Sequence, residues 1–211
     1  MSGAPRRLSP DRATRELAAR DAGFAALVER VGPCDLRRGR PRLDHFGELS
    51  RAVCYQQLAG RAAATIHGRF VALFDGSPTP EAVLATPVER LRAAGLSGAK
   101  AASIRDLAAR ALDGSVVLEE LDHRPDEAIV AELTTVRGIG RWTAEMFLIF
   151  QLGRPDVWPV SDLGVRRGFA RLRGWEEWPS PSALGPLGDP FRPYRTVLAW
   201  YCWRAVDMVL P

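Results

Sequence analysis

Apolar residues recur along most of the chain at the intervals of three and four that place them on one face of a helix. Ile66, Phe70, Leu73 and Phe74 illustrate this pattern, whereas the strict alternation of a half-buried strand is nearly absent. Clusters of glycine and proline interrupt the pattern, notably between residues 174 and 193. The sequence therefore predicts roughly ten short helices and an all-α fold.

The sequence contains no candidate for a membrane-spanning helix. Its apolar stretches are far shorter than the roughly 20 residues that such a helix needs. The first 16 residues include several arginines with no apolar run behind them, which argues against a secretory signal. We therefore expect a cytoplasmic protein with no membrane partner.

Composition narrows the possible chemistry. Three widely spaced cysteines without a Cys-x-x-Cys pair argue against a disulfide framework, a zinc site and a four-cysteine iron–sulfur cluster. The three histidines also lack the spacing of metal ligands. The formal net charge of +4 suits a polyanionic partner, although it is weak evidence for one. Lys100 is the only lysine, so any mechanism that needs a lysine amine has one side-chain candidate.

The segment 133–150 is the most informative part of the sequence. Gly138 and Gly140 flank Ile139 between two predicted helices. Two glycines around one apolar residue allow a tight turn that approaches a ligand closely. The amides that begin the second helix then form a site for a DNA phosphate, which they bind without reading base sequence. The alternative is an ordinary helix–turn–helix connection with a glycine C-cap.

The residues around this turn favour DNA binding over that alternative. Apolar and small residues occupy the positions of a helix-hairpin-helix motif, namely Leu133, Val136, Ile139, Ala144, Phe147 and Leu148. We therefore predict that the hairpin contacts the DNA backbone, with Arg137, Gly138, Ile139, Gly140 and Thr143 as its DNA-binding residues.

A single carboxylate follows the hairpin. Asp162 lies 22 residues beyond Gly140, after Pro159 and at the predicted start of a helix. An isolated aspartate at this position is most simply a helix N-cap. The helix dipole also stabilises a carboxylate there, so capping and catalysis are compatible roles.

The hairpin, the proline-containing loop and Asp162 together resemble the signature of the helix-hairpin-helix (HhH-GPD) DNA glycosylase superfamily. The sequence is most similar to the bacterial 3-methyladenine DNA glycosylase II group. The similarity extends from about residue 46 to 204 and includes separate motifs at 54–66, 95–108 and 193–204.

The resemblance implies two helical subdomains flanking a DNA-binding cleft. The glycosylase core would then extend over 44–211, preceded by an N-terminal helical segment at 1–43. The hairpin subdomain would extend over approximately 59–158, and the flanking helices would form the second subdomain. The N-terminal segment matches no known motif, and its arginines are either DNA contacts or part of a solvated loop: Arg37, Arg38, Arg40 and Arg42.

The resemblance also assigns a catalytic carboxylate and an aromatic base pocket. Asp162 would be the catalytic residue, because cleavage of an N-glycosidic bond builds positive charge on the sugar. Cationic purines bind well to aromatic faces. The predicted pocket residues are Trp142, Trp203 and Met146, with Tyr55, Trp200 and Phe150 as weaker candidates. Met146 stands where the family often has an aromatic residue. Core packing is the alternative role for the aromatic side chains.

A third group of implied residues concerns the DNA stack. Gln57 and Leu58 match the intercalating loop of the family, where an apolar side chain fills the gap that a flipped base leaves. The alternative for Leu58 is a core position. Lys100 would contact the DNA backbone, or would lie in a solvated helix start.

The resulting prediction is a monofunctional glycosylase for alkylated purines in base excision repair. Bifunctional members carry a lysine just after the hairpin, where this chain has Trp142, so we expect no AP-lyase activity. We expect a monomer that acts on double-stranded DNA with a damaged base in the bacterial nucleoid. No cofactor or iron–sulfur cluster is expected, although the family suggests a monovalent cation at the hairpin. The alternatives are a non-catalytic DNA-binding or damage-sensing protein, and a glycosylase for deaminated or oxidised bases.

Overall fold

The computed structural model describes residues 9–36, 43–58 and 60–207. These residues form twelve α-helices and no β-strand, which confirms the predicted all-α fold. The α-helices are α1 Pro10–Arg20, α2 Ala22–Val31, α3 His45–Tyr55, α4 Gly60–Ala72, α5 Pro80–Ala85, α6 Val88–Ala93, α7 Gly98–Leu112, α8 Asp126–Leu133, α9 Arg141–Phe147, α10 Leu163–Arg173, α11 Pro181–Leu187 and α12 Arg195–Asp207. Two short 3-10 helices, Leu118–Glu120 and Asp189–Phe191, and a π-helix, Leu148–Leu152, complete the described structure.

Side-chain caps explain where several helices begin. Asp21, Asp44 and Asp162 each accept a hydrogen bond from the backbone amide three residues later, at 2.8, 2.6 and 2.8 Å. Such a bond satisfies one of the amides that have no partner in the first turn of a helix. Local sequence therefore sets the start of α2, α3 and α10.

The described residues fall into two compact units. One unit combines the described residues within 1–40 and 148–211, and the other contains those within 41–147. The hairpin lies in the second unit. This unit begins and ends earlier along the chain than the approximate range 59–158 expected for the hairpin subdomain. The arginines at 37, 38, 40 and 42 lie outside the described residues.

The first unit is built around the crossing of α10 and α12, with α2 packed against both. Gly168 of α10 lies against the backbone of Cys202 in α12, where a Cβ atom at Gly168 would be 2.0 Å from the Cys202 carbonyl oxygen. Phe24, Phe191 and Tyr201 form an aromatic cluster in this core. The two helices can therefore approach this closely only because residue 168 has no side chain.

In the second unit α3, α5 and α6 pack against the long helix α7, and α9 packs against α3 and α8. Leu49, Val53, Ile104 and Leu107 are fully buried in its core. Arg105 of α7 donates hydrogen bonds to three carbonyls at the end of α5 and just beyond it. A cation at a helix C-terminus both satisfies orphan carbonyls and complements the helix dipole.

Two further observations concern the described residues alone. Their helices include none that is long and apolar enough to cross a membrane. Histidine, cysteine, aspartate and glutamate side chains in these ranges form no group of three or more that could hold a metal ion.

Replacing Gly168 with alanine should destabilise the protein, since the new methyl group must push α10 away from α12. Overpacking of this kind typically costs about 1–3 kcal/mol. Gly68→Ala is the control, because a Cβ atom there meets nothing within 4 Å and lies inside α4. Urea denaturation should show a lower free energy of unfolding for Gly168→Ala and an unchanged or slightly higher one for Gly68→Ala. Equal stability of the two variants would contradict the close crossing.

Candidate active site

Asp162 is held in place by two hydrogen-bond donors. Its Oδ1 atom accepts from the Val165 amide at 2.8 Å and from the Trp203 indole Nε1 at 2.9 Å. The first bond comes from the helix that Asp162 caps, and the second comes from α12. The N-cap role is therefore real, and the same oxygen also anchors an indole from a distant part of the sequence. Together the two donors fix the orientation of the carboxylate.

Gly164 provides the space for this arrangement. A Cβ atom at Gly164 would lie 2.8 Å from Trp203 Cδ1 and 3.1 Å from Asp162 Oδ1. Any larger residue at this position would therefore push the indole away from the carboxylate.

Trp203 also stacks on a second aromatic ring. The Trp203 and Phe150 rings lie 5.8 Å apart between centroids, with an interplanar angle of 21°. Phe150 belongs to the π-helix Leu148–Leu152, a conformation that is rare and often found at functional sites. The first unit thus brings three of the predicted site residues together, namely Asp162, Trp203 and Phe150.

Trp200 is placed differently. Its side chain is only 8% exposed and packs edge-on against Tyr201, with ring centroids 4.8 Å apart. This position favours the core-packing alternative for Trp200 over a place in a base pocket.

The remaining predicted pocket residues belong to the second unit. Trp142 follows the hairpin and is 43% exposed, and Met146 lies one turn later on α9 and is half-buried. The Tyr55 ring is covered on one face by the Arg51 guanidinium, at 4.7 Å, and meets His67 edge-on. Burial, together with the charge of Arg51, lowers the pKa of His67. A cation already occupies the Tyr55 face that would otherwise attract a cationic base.

The hairpin has the geometry that its glycines predict. Gly138 has a φ of 76°, and a Cβ atom there would lie 2.3 Å from Ser103 Oγ, so both conformation and space require glycine. A Cβ atom at Gly140 would meet nothing within 4 Å. Ile139 and Thr143 are buried, the latter with 4% exposure. Their side chains therefore support the turn, and contacts from these two residues to a ligand would come from the backbone.

Charged side chains make contacts with the residues just before and just after the hairpin glycines. Arg141, the first residue of α9, pairs with Glu127 of α8 at 2.6 Å and with Glu145 at 3.1 Å. The hydrogen bond from Arg141 lowers the pKa of Glu127. Asp106 of α7 accepts a hydrogen bond from the Arg137 amide at 2.8 Å. That bond is the main cause of the lowered pKa of Asp106, and Arg110 adds to it.

The turn after α3 presents an exposed apolar side chain. Leu58 is 39% exposed, so the alternative that it is a core residue is wrong. Gln57, directly before it, has a φ of 55°, in the left-handed region that residues other than glycine seldom occupy. Backbone strain of this kind is often found where a side chain must be presented to a ligand.

Lys100 does not lie in a merely solvated helix start. Its Nζ atom donates hydrogen bonds to the carbonyl oxygens of Cys54 and Gln56, both at 2.8 Å. The amine thus caps the C-terminus of α3, where the last carbonyls need donors. The predicted contact of Lys100 with the DNA backbone stays a prediction.

Sequence reasoning missed Gln56 and Gly164. The Gln56 side-chain amide donates to the Gly138 carbonyl at 2.9 Å and to Thr143 Oγ1 at 3.3 Å. The neighbouring Gln57 matches the intercalating loop of the family, whereas no periodicity marks Gln56. Gly164 follows Asp162 by two residues, and a glycine there has no meaning until the position of Trp203 is known.

The hairpin carbonyls are the place where a monovalent cation would bind. The Gly138 carbonyl accepts from Gln56, and the Val136 carbonyl accepts from the Ile139 amide at 3.1 Å. These oxygens are thus already hydrogen-bonded without a cation. The cation stays a prediction, and nothing in the proposed chemistry depends on it.

A glycine hairpin and a carboxylate fixed at the start of a later helix define a helix-hairpin-helix protein with a candidate hydrolytic site. The family model of the HhH-GPD superfamily base excision DNA repair proteins matches residues 50–185, which include the hairpin and Asp162. The chain belongs to this superfamily. Trp203 lies beyond the matched residues.

Relatives and solved structures agree with this assignment. The chain is 35% identical to DNA-3-methyladenine glycosylase 1 of Schizosaccharomyces pombe, over 87% of this chain and 82% of the relative. The solved structure of S. pombe 3-methyladenine DNA glycosylase (Mag1) in complex with abasic DNA has a TM-score of 0.82 and 34% identity, and the match covers 93% of this chain and 97% of that one. A DNA-3-methyladenine glycosidase from Bacillus halodurans also has a TM-score of 0.82 and 34% identity, with 95% and 92% coverage. The resemblance inferred from the sequence is confirmed.

The lowered pKa of Asp106 makes its contribution to stability depend on pH. The carboxylate stabilises the folded state fully above its unfolded pKa of about 3.9, and this contribution is lost as pH falls through the lower folded pKa. The Asp106→Ala variant should therefore lose more free energy of unfolding near pH 7 than near pH 2.5. Urea denaturation of both proteins across this range measures the difference. A difference between the proteins that grows as the pH falls would contradict the hydrogen bond to the Arg137 amide.

Proposed function

We propose that this protein is a monofunctional DNA glycosylase that flips alkylated purines, of the 3-methyladenine and 7-methylguanine type, out of duplex DNA and hydrolyses their N-glycosidic bond. The observation that carries the proposal is the Asp162 carboxylate, fixed by the Val165 amide and the Trp203 indole in a chain of the HhH-GPD superfamily. The names of its relatives, which denote glycosylases or glycosidases for 3-methyladenine, support this choice of substrate.

Asp162 supplies the negative charge that the reaction needs. As the bond to the base breaks, the deoxyribose acquires the positive charge of an oxocarbenium ion. A carboxylate already oriented by two donors stabilises that charge without reorganising at the moment of reaction. The same fixed group can also orient a water molecule toward the anomeric carbon. Both roles depend on the hydrogen bonds that hold Asp162.

The leaving group explains why one carboxylate suffices. Purines alkylated at N3 or N7 are already cationic and leave without protonation by a general acid. A cation over an aromatic face gains about 0.5–2 kcal/mol. Trp142, which is 43% exposed, would supply one such face, and Trp203 would combine a pocket role with its hydrogen bond to Asp162.

DNA contacts come from two parts of the second unit. The backbone of the hairpin turn, with open space beside Gly140, would bind a phosphate. The exposed Leu58 would wedge between bases after the target leaves the stack, as apolar side chains do in proteins that kink the duplex. The partner is double-stranded DNA with a damaged base, and one copy of the chain would act on it without a cofactor.

The position of the only lysine supports a simple hydrolase. A lyase mechanism needs an amine that attacks the sugar and forms a Schiff base. The Lys100 amine donates to the carbonyls of Cys54 and Gln56 instead, and Trp142 occupies the position after the hairpin where bifunctional members have lysine. We therefore expect abasic sites as the product, without strand cleavage.

Asp162→Asn should abolish base release and preserve DNA binding, because asparagine still caps a helix but carries no charge. We expect the single-turnover rate on methylated duplex DNA to fall at least about 100-fold. Strand breaks from the wild type should develop only after alkali. Asp44→Asn makes the same change at another helix N-cap and is the control.

Other outcomes of this assay would point elsewhere. Breaks without alkali would contradict the monofunctional assignment. A wild type that binds duplex DNA but releases no alkylated base would favour a deaminated or oxidised substrate. This is the first alternative because Met146 stands where the family often has an aromatic residue. Failure on those substrates as well would leave the non-catalytic DNA-binding or damage-sensing protein.

Trp203→Phe tests the second donor to Asp162. Phenylalanine retains a ring to stack on Phe150 but cannot donate a hydrogen bond. A hydrogen bond to a charged group contributes about 1.5–3 kcal/mol, so we expect the rate of base release to fall at least about tenfold. The dissociation constant for damaged duplex should change little. Trp178→Phe, at an exposed tryptophan in the same unit, is the control. Equal rates for Trp203→Phe and the wild type would show that the indole donor is dispensable.

A further inference from the structure

Two segments of the second unit that the proposed function assigns to DNA are joined by hydrogen bonds. The wedge turn, residues 56–58, carries Leu58, and the hairpin turn, residues 137–140, carries the phosphate site. The Gln56 side chain spans them, since its amide donates to the Gly138 carbonyl at 2.9 Å and to Thr143 Oγ1 at 3.3 Å. A residue of the wedge turn thus bonds directly to the hairpin.

Helix α7 supports both turns from one face. Lys100, Ser103 and Asp106 are spaced three residues apart and so lie along one side of the helix. Lys100 donates to the Cys54 and Gln56 carbonyls at the base of the wedge turn. Ser103 Oγ would lie 2.3 Å from a Cβ atom at Gly138, and Asp106 accepts from the Arg137 amide.

Hydrogen bonds therefore link α7, the wedge turn and the hairpin in pairs. Lys100 joins α7 to the wedge turn, Gln56 joins the wedge turn to the hairpin, and Asp106 joins α7 to the hairpin. The strained backbone of Gln57, with a φ of 55°, persists only where surrounding contacts determine it. One of the two carbonyls that accept from Lys100 belongs to Gln56, directly before Gln57, so this amine is well placed to impose that conformation.

We propose that Lys100 and Gln56 are positioning residues, which fix the wedge turn to the hairpin so that Leu58 and the phosphate site meet the duplex at a set spacing. This inference rests on the proposed function, because it takes the wedge and the hairpin as DNA-contacting elements. It assigns the one lysine a role through Leu58 in place of a direct contact with a phosphate. Unstacking a base costs a few kcal/mol, so a wedge held in advance spares the further cost of ordering the turn on the DNA.

A double-mutant cycle separates these roles. The probe is a duplex with a tetrahydrofuran abasic analogue beside 2-aminopurine, whose fluorescence rises when its stacking is disturbed. Leu58→Ala and Lys100→Met should each weaken, by about tenfold, the binding that raises the 2-aminopurine fluorescence. The double variant should weaken this binding by no more than either single variant does. Affinity for undamaged duplex should stay within about twofold of the wild type. Arg92→Met, which removes one charge from an exposed helix position, is the control for the lost charge.

Additional variants keep the test decisive. Gln56→Ala removes the bonds to the hairpin and should show the same non-additivity with Leu58→Ala. Lys100→Arg retains donors for the two carbonyls and should recover part of the effect. If Lys100→Met does not fold, Gln56→Ala and Lys100→Arg carry the test.

Three results would overturn the proposal. Additive effects of Lys100→Met and Leu58→Ala would show that Lys100 does not act through the wedge. A loss of affinity for all duplexes, with a slope of log K against log salt that becomes shallower by about 0.9, would show a direct phosphate contact. If the wild type caused no change in fluorescence, Leu58 would not act as a wedge in the DNA stack. Binding to the abasic probe does not require base excision, so these results can be told apart from a failure to excise alkylated bases.

Discussion

The hydrogen bonds to Asp162 Oδ1 connect the chemistry of this protein to its packing. The Val165 amide comes from the first turn of α10, and the Trp203 indole comes from α12, so the carboxylate is fixed only while these two helices keep their crossing. That crossing depends on glycine at two points. Gly168 admits the Cys202 backbone, and Gly164 admits the indole. A helix cap, a close helix crossing and a candidate catalytic group are thus parts of one arrangement.

In the second unit, too, polar contacts and a glycine that allows close packing hold the candidate DNA-binding segments. Helix α7 passes beneath both the wedge turn and the hairpin turn and contacts each through a polar side chain. The hairpin can be tight because Gly138 lies against Ser103, and Ile139 is buried under it. Backbone beside Gly140 and the exposed side chain of Leu58 are both accessible to a ligand. Such a surface suits a partner that is recognised by its shape and phosphates.

Local patterns in the sequence predicted much of this structure. The three-and-four periodicity gave the all-α fold, and the glycines of the hairpin marked a turn whose geometry is dictated by φ and space at Gly138. The N-cap role of Asp162 was predictable because a cap depends only on the next three residues, whereas its assignment as the catalytic residue came from the resemblance to the superfamily. Each of these features depends on residues that are close together in the sequence, where side-chain chemistry and backbone preference determine the local structure.

Contacts between distant residues could not be predicted in this way. Trp203 meets Asp162 across 41 residues, and Gln56 meets Gly138 across 82, so neither bond leaves a trace in spacing or periodicity. Lys100 was expected to contact the DNA backbone or to lie in a solvated helix start, and nothing in the sequence indicates that its amine binds carbonyls at the end of α3. Leu58 shows the opposite case, since an apolar residue that pattern alone would bury is exposed at a turn.

The central claim is that Asp162 stabilises positive charge on the sugar. The most direct measurement compares the affinity of the protein for two duplexes, one with a cationic pyrrolidine in place of the target deoxyribose and one with neutral tetrahydrofuran. Because an enzyme binds the charge distribution of its transition state most tightly, the wild type should prefer the cationic analogue by at least about tenfold, and Asp162→Asn should lose this preference. Equal affinity of the wild type for both duplexes, or an unchanged preference in Asp162→Asn, would contradict the account.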